Sequence, residues 1–97
     1  MKFRILSPAA DDLAKAVEYY ESQILGLGYD FLAEYETTIA RICRFPKAWA
    51  QISPNHRRCL MRRFPFAILY AIENEEILVS GIMNLHLNPD KHHQRIN

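Results

Sequence analysis

The chain has 97 residues, of which 49% are hydrophobic and 24% charged. This length and composition fit one globular domain spanning residues 1–97 and exclude an intrinsically disordered chain. The formal net charge of +1 excludes a strongly basic or acidic protein, so any charge-driven binding must come from local patches.

The first half of the chain predicts a short strand followed by a helix. Residues 2–6 alternate apolar and charged side chains, as a strand does. Ser7-Pro8 is a typical helix start, because serine can cap a helix and proline is tolerated at its first position. The helix is expected to end near residues 22–24. Its apolar stripe, expected to pack in the core, consists of Ala10, Leu13, Ala14, Val17 and Tyr20.

A glycine-rich break, Gly26-Leu27-Gly28, separates this helix from a second one predicted over residues 30–44. The second helix has an apolar stripe with helical spacing, and Pro46 marks its end. Two helices joined by a short glycine loop are expected to form an antiparallel hairpin.

The second half predicts strands. Residues 47–56 are expected to form a loop, and strands are predicted over 57–63, 66–73 and 76–86. Asn74-Glu75 is a candidate two-residue turn, and Gly81 a candidate bulge position. The tail, residues 88–97, is expected to be loose. The order is βααβββ, which predicts an α+β fold with an N-terminal helical hairpin packed on an antiparallel sheet.

Four arginines flank the first strand of this half, within a segment (residues 47–63) that contains no acidic residue. Cations this dense repel one another on a purely structural strand, so they suggest a surface that binds an anionic partner, either a nucleic acid or an acidic protein. A strand edge protected from aggregation by charge is the alternative. The residues are Arg57, Arg58, Arg62 and Arg63.

Several motifs in a fixed order resemble the RelE/ParE superfamily of toxins from type II toxin–antitoxin systems. The resemblance covers nearly the whole chain, and its most specific part is the RRFPFAILY segment at residues 62–70. The other parts are LSPAADDL at residues 6–13, Tyr19-Tyr20, GLG at 26–28 followed by Phe31-Leu32, and MNLH at 83–86 leading to Pro89-Asp90. The resemblance implies a growth-inhibiting protein that a cognate antitoxin neutralises.

The resemblance favours a ParE-like protein, of the plasmid-stabilisation type, over a RelE-like one. RelE-type members cleave messenger RNA in the ribosome, whereas ParE-type members inhibit DNA gyrase. Ala67 stands where RelE-type sequences typically carry an arginine, and no tyrosine follows Tyr70. We therefore expect a non-catalytic inhibitor of a protein target such as gyrase.

Two alternatives remain open. A ribosome-dependent endoribonuclease would need a base, an acid and a cation that stabilises the phosphate. Its candidate catalytic residues are Arg58, Arg62 and His86. A degenerate, non-toxic module that only binds the antitoxin is the other alternative.

Tyrosines cluster on the helical hairpin, where aromatic side chains suit either a core with a half-exposed rim or contacts with an antitoxin. Tyr19, Tyr20 and Tyr35 are the residues that we assign to antitoxin contacts, together with the four arginines. An antitoxin that folds on binding must bury a large apolar area to offset its ordering entropy. We therefore expect an exposed apolar groove.

No cofactor, metal or membrane segment is expected. His86, His92 and His93 have no spacing typical of a metal site. Cys43 and Cys59 are expected to be unpaired thiols in a reducing cytoplasm. No apolar run approaches the roughly 18 residues of a membrane span, and the N-terminus lacks a signal-peptide pattern.

Overall fold

The computed structural model describes residues 1–87, and the tail predicted to be loose lies outside this range. The described elements, in chain order, are β1 (Lys2–Ile5), α1 (Ser7–Gln23), α2 (Leu27–Arg44), β2 (Ala50–Ser53), β3 (His56–Leu60), β4 (Phe66–Glu73) and β5 (Glu76–Asn84).

One five-stranded sheet carries the helical hairpin on one face. Its strand order is β1-β5-β4-β3-β2, with β1 parallel to β5 and every other pair antiparallel. Residues of the helices and of one sheet face share a single hydrophobic core. The predicted α+β class with a helical hairpin on a mostly antiparallel sheet is confirmed.

Two details of the predicted strands are wrong. The segment expected to be a loop contains β2, whose Ala50 pairs with Arg58. The next strand ends at Leu60 instead of Arg63, because Met61 and Phe64 both pack in the same core cluster, and an alternating strand cannot point side chains three residues apart to one face. Residues 61–65 therefore form a compact bend, closed by a 2.9 Å hydrogen bond from Met61 N to Phe66 O.

The β4–β5 hairpin has the predicted turn and bulge. Asn74 and Glu75 have positive φ angles of 51° and 61°, as a two-residue turn requires. Leu69 lies opposite Gly81 while Tyr70 lies opposite Val79, so Ser80 is the extra residue of a bulge next to the glycine.

The helix start differs from its prediction. Ser7 is the first residue of α1 rather than its cap, and the residue in the capping position is Leu6, whose side chain makes no capping hydrogen bond. A side chain later in α1 instead ties this helix to the sheet: Asp12 Oδ2 accepts a 3.0 Å hydrogen bond from Ile82 N in β5.

The glycine-rich break has two separate physical reasons. Gly26 has a φ of 90°, which favours glycine. Gly28 lies against α1 so closely that a Cβ atom would stand 2.7 Å from Val17 O. Glu21 joins the two glycines, because its carboxylate accepts 2.9 Å hydrogen bonds from Gly26 N and Gly28 N. This carboxylate satisfies N–H groups at the start of α2 that have no partner within the helix.

An aromatic cluster holds the hairpin to the sheet. Phe31 of α2 contacts Phe64 and Phe66, each with 4.9 Å between ring centroids. Tyr20 of α1 stacks on Phe31 at 5.4 Å and meets Phe64 edge-on at 4.8 Å. The Phe-Pro-Phe segment therefore places both phenylalanines in the core, and Pro65 between them turns the chain.

Candidate partner-binding surfaces

The four candidate arginines do not form one cationic face. Arg57 pairs with the buried Tyr70 on the helix-covered side of the sheet, and Arg58 pairs with Leu69 on the opposite side. The Arg57 guanidinium Nη1 donates hydrogen bonds to Trp49 O at 2.8 Å and to Lys47 O at 3.2 Å. Arg57 therefore holds the segment that leads into β2, and the expectation of a single cationic sheet face is wrong.

The other two arginines lie beyond the strand, near α2. Arg62 N donates a 2.7 Å hydrogen bond to Glu34 Oε1, and its side chain is exposed. The Arg63 guanidinium lies 3.7 Å from Asp30 Oδ2 and 5.7 Å from the Phe64 ring centroid. Contacts of Arg58, Arg62 and Arg63 with a partner stay a prediction.

The candidate ribonuclease residues lie in three different surroundings. Arg58 is on the helix-free sheet face, Arg62 is next to α2, and His86 follows β5 at an exposed position. His86 lines a pocket of about 360 Å³ together with Lys15 and Tyr19. None of the pockets described here is lined by two of the three candidates.

The helix-free sheet face carries a trough of about 530 Å³. Ala71, Leu78 and Ser80 lie along it, and His56 and Glu73 add polar groups. His56 Nδ1 is buried without a hydrogen-bond partner in the described part of the chain. The trough combines apolar, polar and charged side chains, so it is neither a purely apolar nor a purely cationic surface.

The candidate tyrosines divide between two sides of α1. Tyr19 and Tyr20 line the pocket with His86, whereas Tyr35 and Tyr29 line a different, larger groove. Tyr20 belongs to the aromatic cluster of the core, and Tyr35 is buried. Burial raises the pKa of Tyr35, and the neighbouring Glu36 raises it further, so its phenol stays neutral at ordinary pH.

The larger groove, of about 950 Å³, is the main apolar surface feature of residues 1–87. It lies between α1, α2 and β1. Phe3 and Tyr29 are among its lining side chains and are 46% and 76% exposed. The lining is predominantly apolar and also includes Ile5, Leu13, Ala14, Val17 and Leu32.

Part of the apolar stripe of α1, which was predicted to pack in the core, lines the groove instead. Ala10 and Ala14, predicted to be in the core, are exposed and line the groove, while Ala9 and Ala16 are the buried alanines of this helix. Leu13 and Val17 are half-buried and contribute to both core and groove. The contribution of β1, through Phe3 and Ile5, was not foreseen, because it depends on the parallel pairing of β1 with β5.

The thiols are unpaired, as expected. Cys43 and Cys59 are both free, and burial raises the pKa of each. No helix within residues 1–87 is long and apolar enough to cross a membrane. Within the same residues, no three side chains of the metal-binding types come together as a candidate metal site.

Comparison with solved structures supports the fold assignment. The chain superposes on a chain of the chromosomal ParDE TA system from P. aeruginosa with a TM-score of 0.65 and 18% sequence identity, over 89% of this chain and 97% of that one. No family model matches the sequence. The search of curated proteins also gave no match. The fold is therefore ParE-like.

Proposed function

We propose that this chain is the toxin of a type II toxin–antitoxin module, ParE-like in its action, and that its antitoxin docks in the groove between α1, α2 and β1. The observation that carries the proposal is the groove itself. Its side chains are apolar, yet two of the largest, Phe3 and Tyr29, are open to water in the free chain. Exposed apolar surface of this kind marks a binding site.

The groove fits a segment that folds when it binds. Such a segment loses chain entropy on ordering and needs a large apolar contact to offset that loss. Two further apolar side chains are exposed at the hairpin tip, Ile24 at 64% and Leu25 at 92%. The fold shared with a chain of a ParDE TA system supports the same partner class.

A non-catalytic action on a protein target such as DNA gyrase is the form of toxicity that we favour. A ribonuclease needs its cation, base and acid around one phosphate, and Arg58, Arg62 and His86 have different surroundings. The two unpaired cysteines are compatible with action in the cytosol.

Growth and target assays test this function. Induction of the chain in a bacterial host should arrest growth, and co-expression of the protein encoded by the adjacent gene should restore it. The purified chain should inhibit supercoiling by gyrase and leave transcripts intact. Cut transcripts with normal supercoiling would replace the ParE-like proposal with the ribonuclease, and harmless expression of the folded chain would contradict toxicity.

A groove variant tests the docking site. Ala14 is exposed and lines the groove, so Ala14→Gln fills part of it without removing any core atom. This variant should stay toxic but should no longer be rescued by the adjacent gene's product. Ala48→Gln, at an exposed position outside the groove, is the matched control and should be rescued normally. Full rescue of the Ala14 variant would contradict docking there.

A further inference from the structure

The acidic residues of the first half of the chain fall into two groups. Four of the seven have roles inside the fold: Asp12 binds Ile82 N, Glu21 binds Gly26 N and Gly28 N, Asp30 pairs with Arg63, and Glu34 binds Arg62 N. The remaining three, Asp11, Glu18 and Glu36, are exposed. No ion pair within 4 Å involves any of these three in the described part of the chain.

These three carboxylates border the groove. Glu18 is one of its lining residues. Asp11 precedes Glu18 by seven residues, which is two helical turns, so both lie on the same side of α1. On α2, Glu36 follows Leu32 by four residues and Tyr29 by seven, and both of those residues line the groove. Carboxylates therefore stand along both helices that form the groove, and we call these three residues the acidic rim.

Lys15 is the lysine beside the α1 part of this rim. It follows Asp11 by four residues and precedes Glu18 by three, so its side chain is a surface neighbour of both, and it also lines the pocket across that helix. The Met1 amino group donates to Cys43 O at 3.4 Å, near the end of α2. The candidate arginines are elsewhere: the Arg62 backbone N–H binds Glu34, the Arg63 guanidinium is 3.7 Å from Asp30 Oδ2, and Arg58 is on the helix-free face.

The groove has the shape for a helix. Its α1 side runs from Ala10 to Ser22, which at 1.5 Å per residue is about 18 Å, or about three helical turns. A third helix can pack its side chains between those of two neighbouring helices, and an amphipathic helix presents the apolar stripe that such a groove binds.

We propose that the occupant of the groove is an amphipathic helix whose apolar stripe is flanked by lysine or arginine side chains that face the acidic rim. The inference rests on the proposed function, since it names the chemistry of the antitoxin segment. It concerns the groove alone, and contacts of an acidic segment with the arginines outside the groove stay a separate prediction. Like charges placed across such an interface would oppose binding.

Two synthetic peptides of the same length test the charge preference. Both carry the same leucine and alanine stripe over about three to four helical turns, and one has lysines and the other glutamates flanking it. Each is labelled with fluorescein and titrated with the purified full chain, with binding followed by anisotropy. The lysine peptide should bind about five- to tenfold more tightly at low salt, which is the size expected for two or three exposed ion pairs.

Substitutions in the acidic rim test whether its carboxylates cause the preference for the lysine peptide. Glu18→Gln combined with Glu36→Gln should reduce the preference to about twofold or less, since each exposed pair contributes little by itself. Glu73→Gln combined with Glu75→Gln removes two exposed carboxylates at the β4–β5 turn and should leave the preference unchanged. Ala14→Gln should weaken binding of both peptides, because it fills the groove.

The outcomes separate this inference from the proposed function. Equal binding of the two peptides, a preference for the glutamate peptide, or no binding of either would overturn the basic-flank inference. Lysine-peptide binding that Ala14→Gln does not weaken would also overturn it, because the peptide would then be elsewhere. None of these results bears on growth arrest and rescue, which test the toxin proposal independently.

Discussion

At the scale of single residues, Gly26 before α2 and Gly28 in its first turn have different constraints. Gly28→Ala should destabilise the fold by about 1–3 kcal/mol, because the new methyl group would stand 2.7 Å from a backbone oxygen that cannot move aside. Gly26→Ala meets no atom within 4 Å but keeps a φ of 90°, so its cost should be about 1 kcal/mol. Urea unfolding measures both, and a Gly28→Ala protein as stable as the parent would contradict the close helix contact.

The adjacent arginines of β3 should respond very differently to truncation. Arg57→Ala should cost about 1–3 kcal/mol, since it removes the two hydrogen bonds that hold the segment before β2. Arg58→Ala lacks such partners among the described contacts and should change stability by less than about 0.5 kcal/mol. Equal losses in urea unfolding would contradict the assignment of the two side chains to opposite sheet faces.

Tyr70 predicts a loss of stability at alkaline pH. Burial raises the pKa of this tyrosine to about 12, whereas an unfolded tyrosine ionises near pH 10. Below pH 10 the phenol is neutral in both states and its contribution is fully present. As the pH rises from about 10 to about 12, only the unfolded state ionises, so stability falls by an amount on the order of 2 kcal/mol.

Tyr70→Phe isolates this contribution. The variant loses the 2.6 Å hydrogen bond to Pro46 O, so it should be less stable at neutral pH. Its stability should nevertheless fall less steeply than that of the parent when urea unfolding is followed from pH 8 to 11. Burial also raises the pKa of Tyr20 and Tyr35, so the variant retains part of the pH dependence. Identical slopes would contradict the assignment to Tyr70.

At the scale of elements, Glu21 couples α1 to the start of α2. Glu21→Ala leaves two backbone N–H groups without their acceptor and should cost about 1–2 kcal/mol. Glu18→Ala is the control on the same helix, because Glu18 is exposed and makes no ion pair within the described residues. Its change should stay within about 0.5 kcal/mol. A smaller loss for Glu21 than for Glu18 in thermal unfolding would count against this capping role.

The sequence predicted most of the helices and strands because these depend on properties of neighbouring residues, such as helical spacing and backbone preferences. Helical spacing predicted both helices, and the Asn74-Glu75 turn and the Gly81 bulge followed from backbone preferences. The end of β3 could not be predicted, since it depends on the simultaneous burial of Met61 and Phe64. The separation of Arg57 from Arg58 follows from strand alternation, but the position of Arg62 depends on that unpredicted end.

The apolar arc of α1 shows why the site was only partly predictable. The arc is wide enough to contact both the sheet and the groove, and spacing alone does not say which part meets which surface. The structure shows that Ala9 and Ala16 face the core, whereas Ala10 and Ala14 line the groove. We expected an apolar groove because an antitoxin that folds on binding needs a large contact area. The residues that line the groove could not be predicted, since they depend on where α2 and β1 lie in the fold.

At the scale of the whole molecule, a net charge of +1 does not describe the surface around the groove, where exposed carboxylates stand. Unpaired carboxylates border the groove on its two helices, while Arg58 lies on the helix-free face of the sheet. We expect raised salt to weaken antitoxin association mainly by slowing it, because exposed charges are screened beyond roughly 10 Å at 0.1 M salt. Stopped-flow association rates from 20 to 500 mM salt would check this expectation, and salt-independent rates would contradict it.

Hydroxyl-radical footprinting of the chain with and without the adjacent gene's product tests the central claim most directly. It measures side-chain oxidation, and the exposed Phe3 and Tyr29 report on the groove whereas the exposed Tyr19 and His86 report on the pocket across α1. Protection of Phe3 and Tyr29, with Tyr19 and His86 unchanged, is the predicted result. Protection confined to Tyr19 and His86, with Phe3 and Tyr29 still oxidised at the free rate, would contradict docking in the groove.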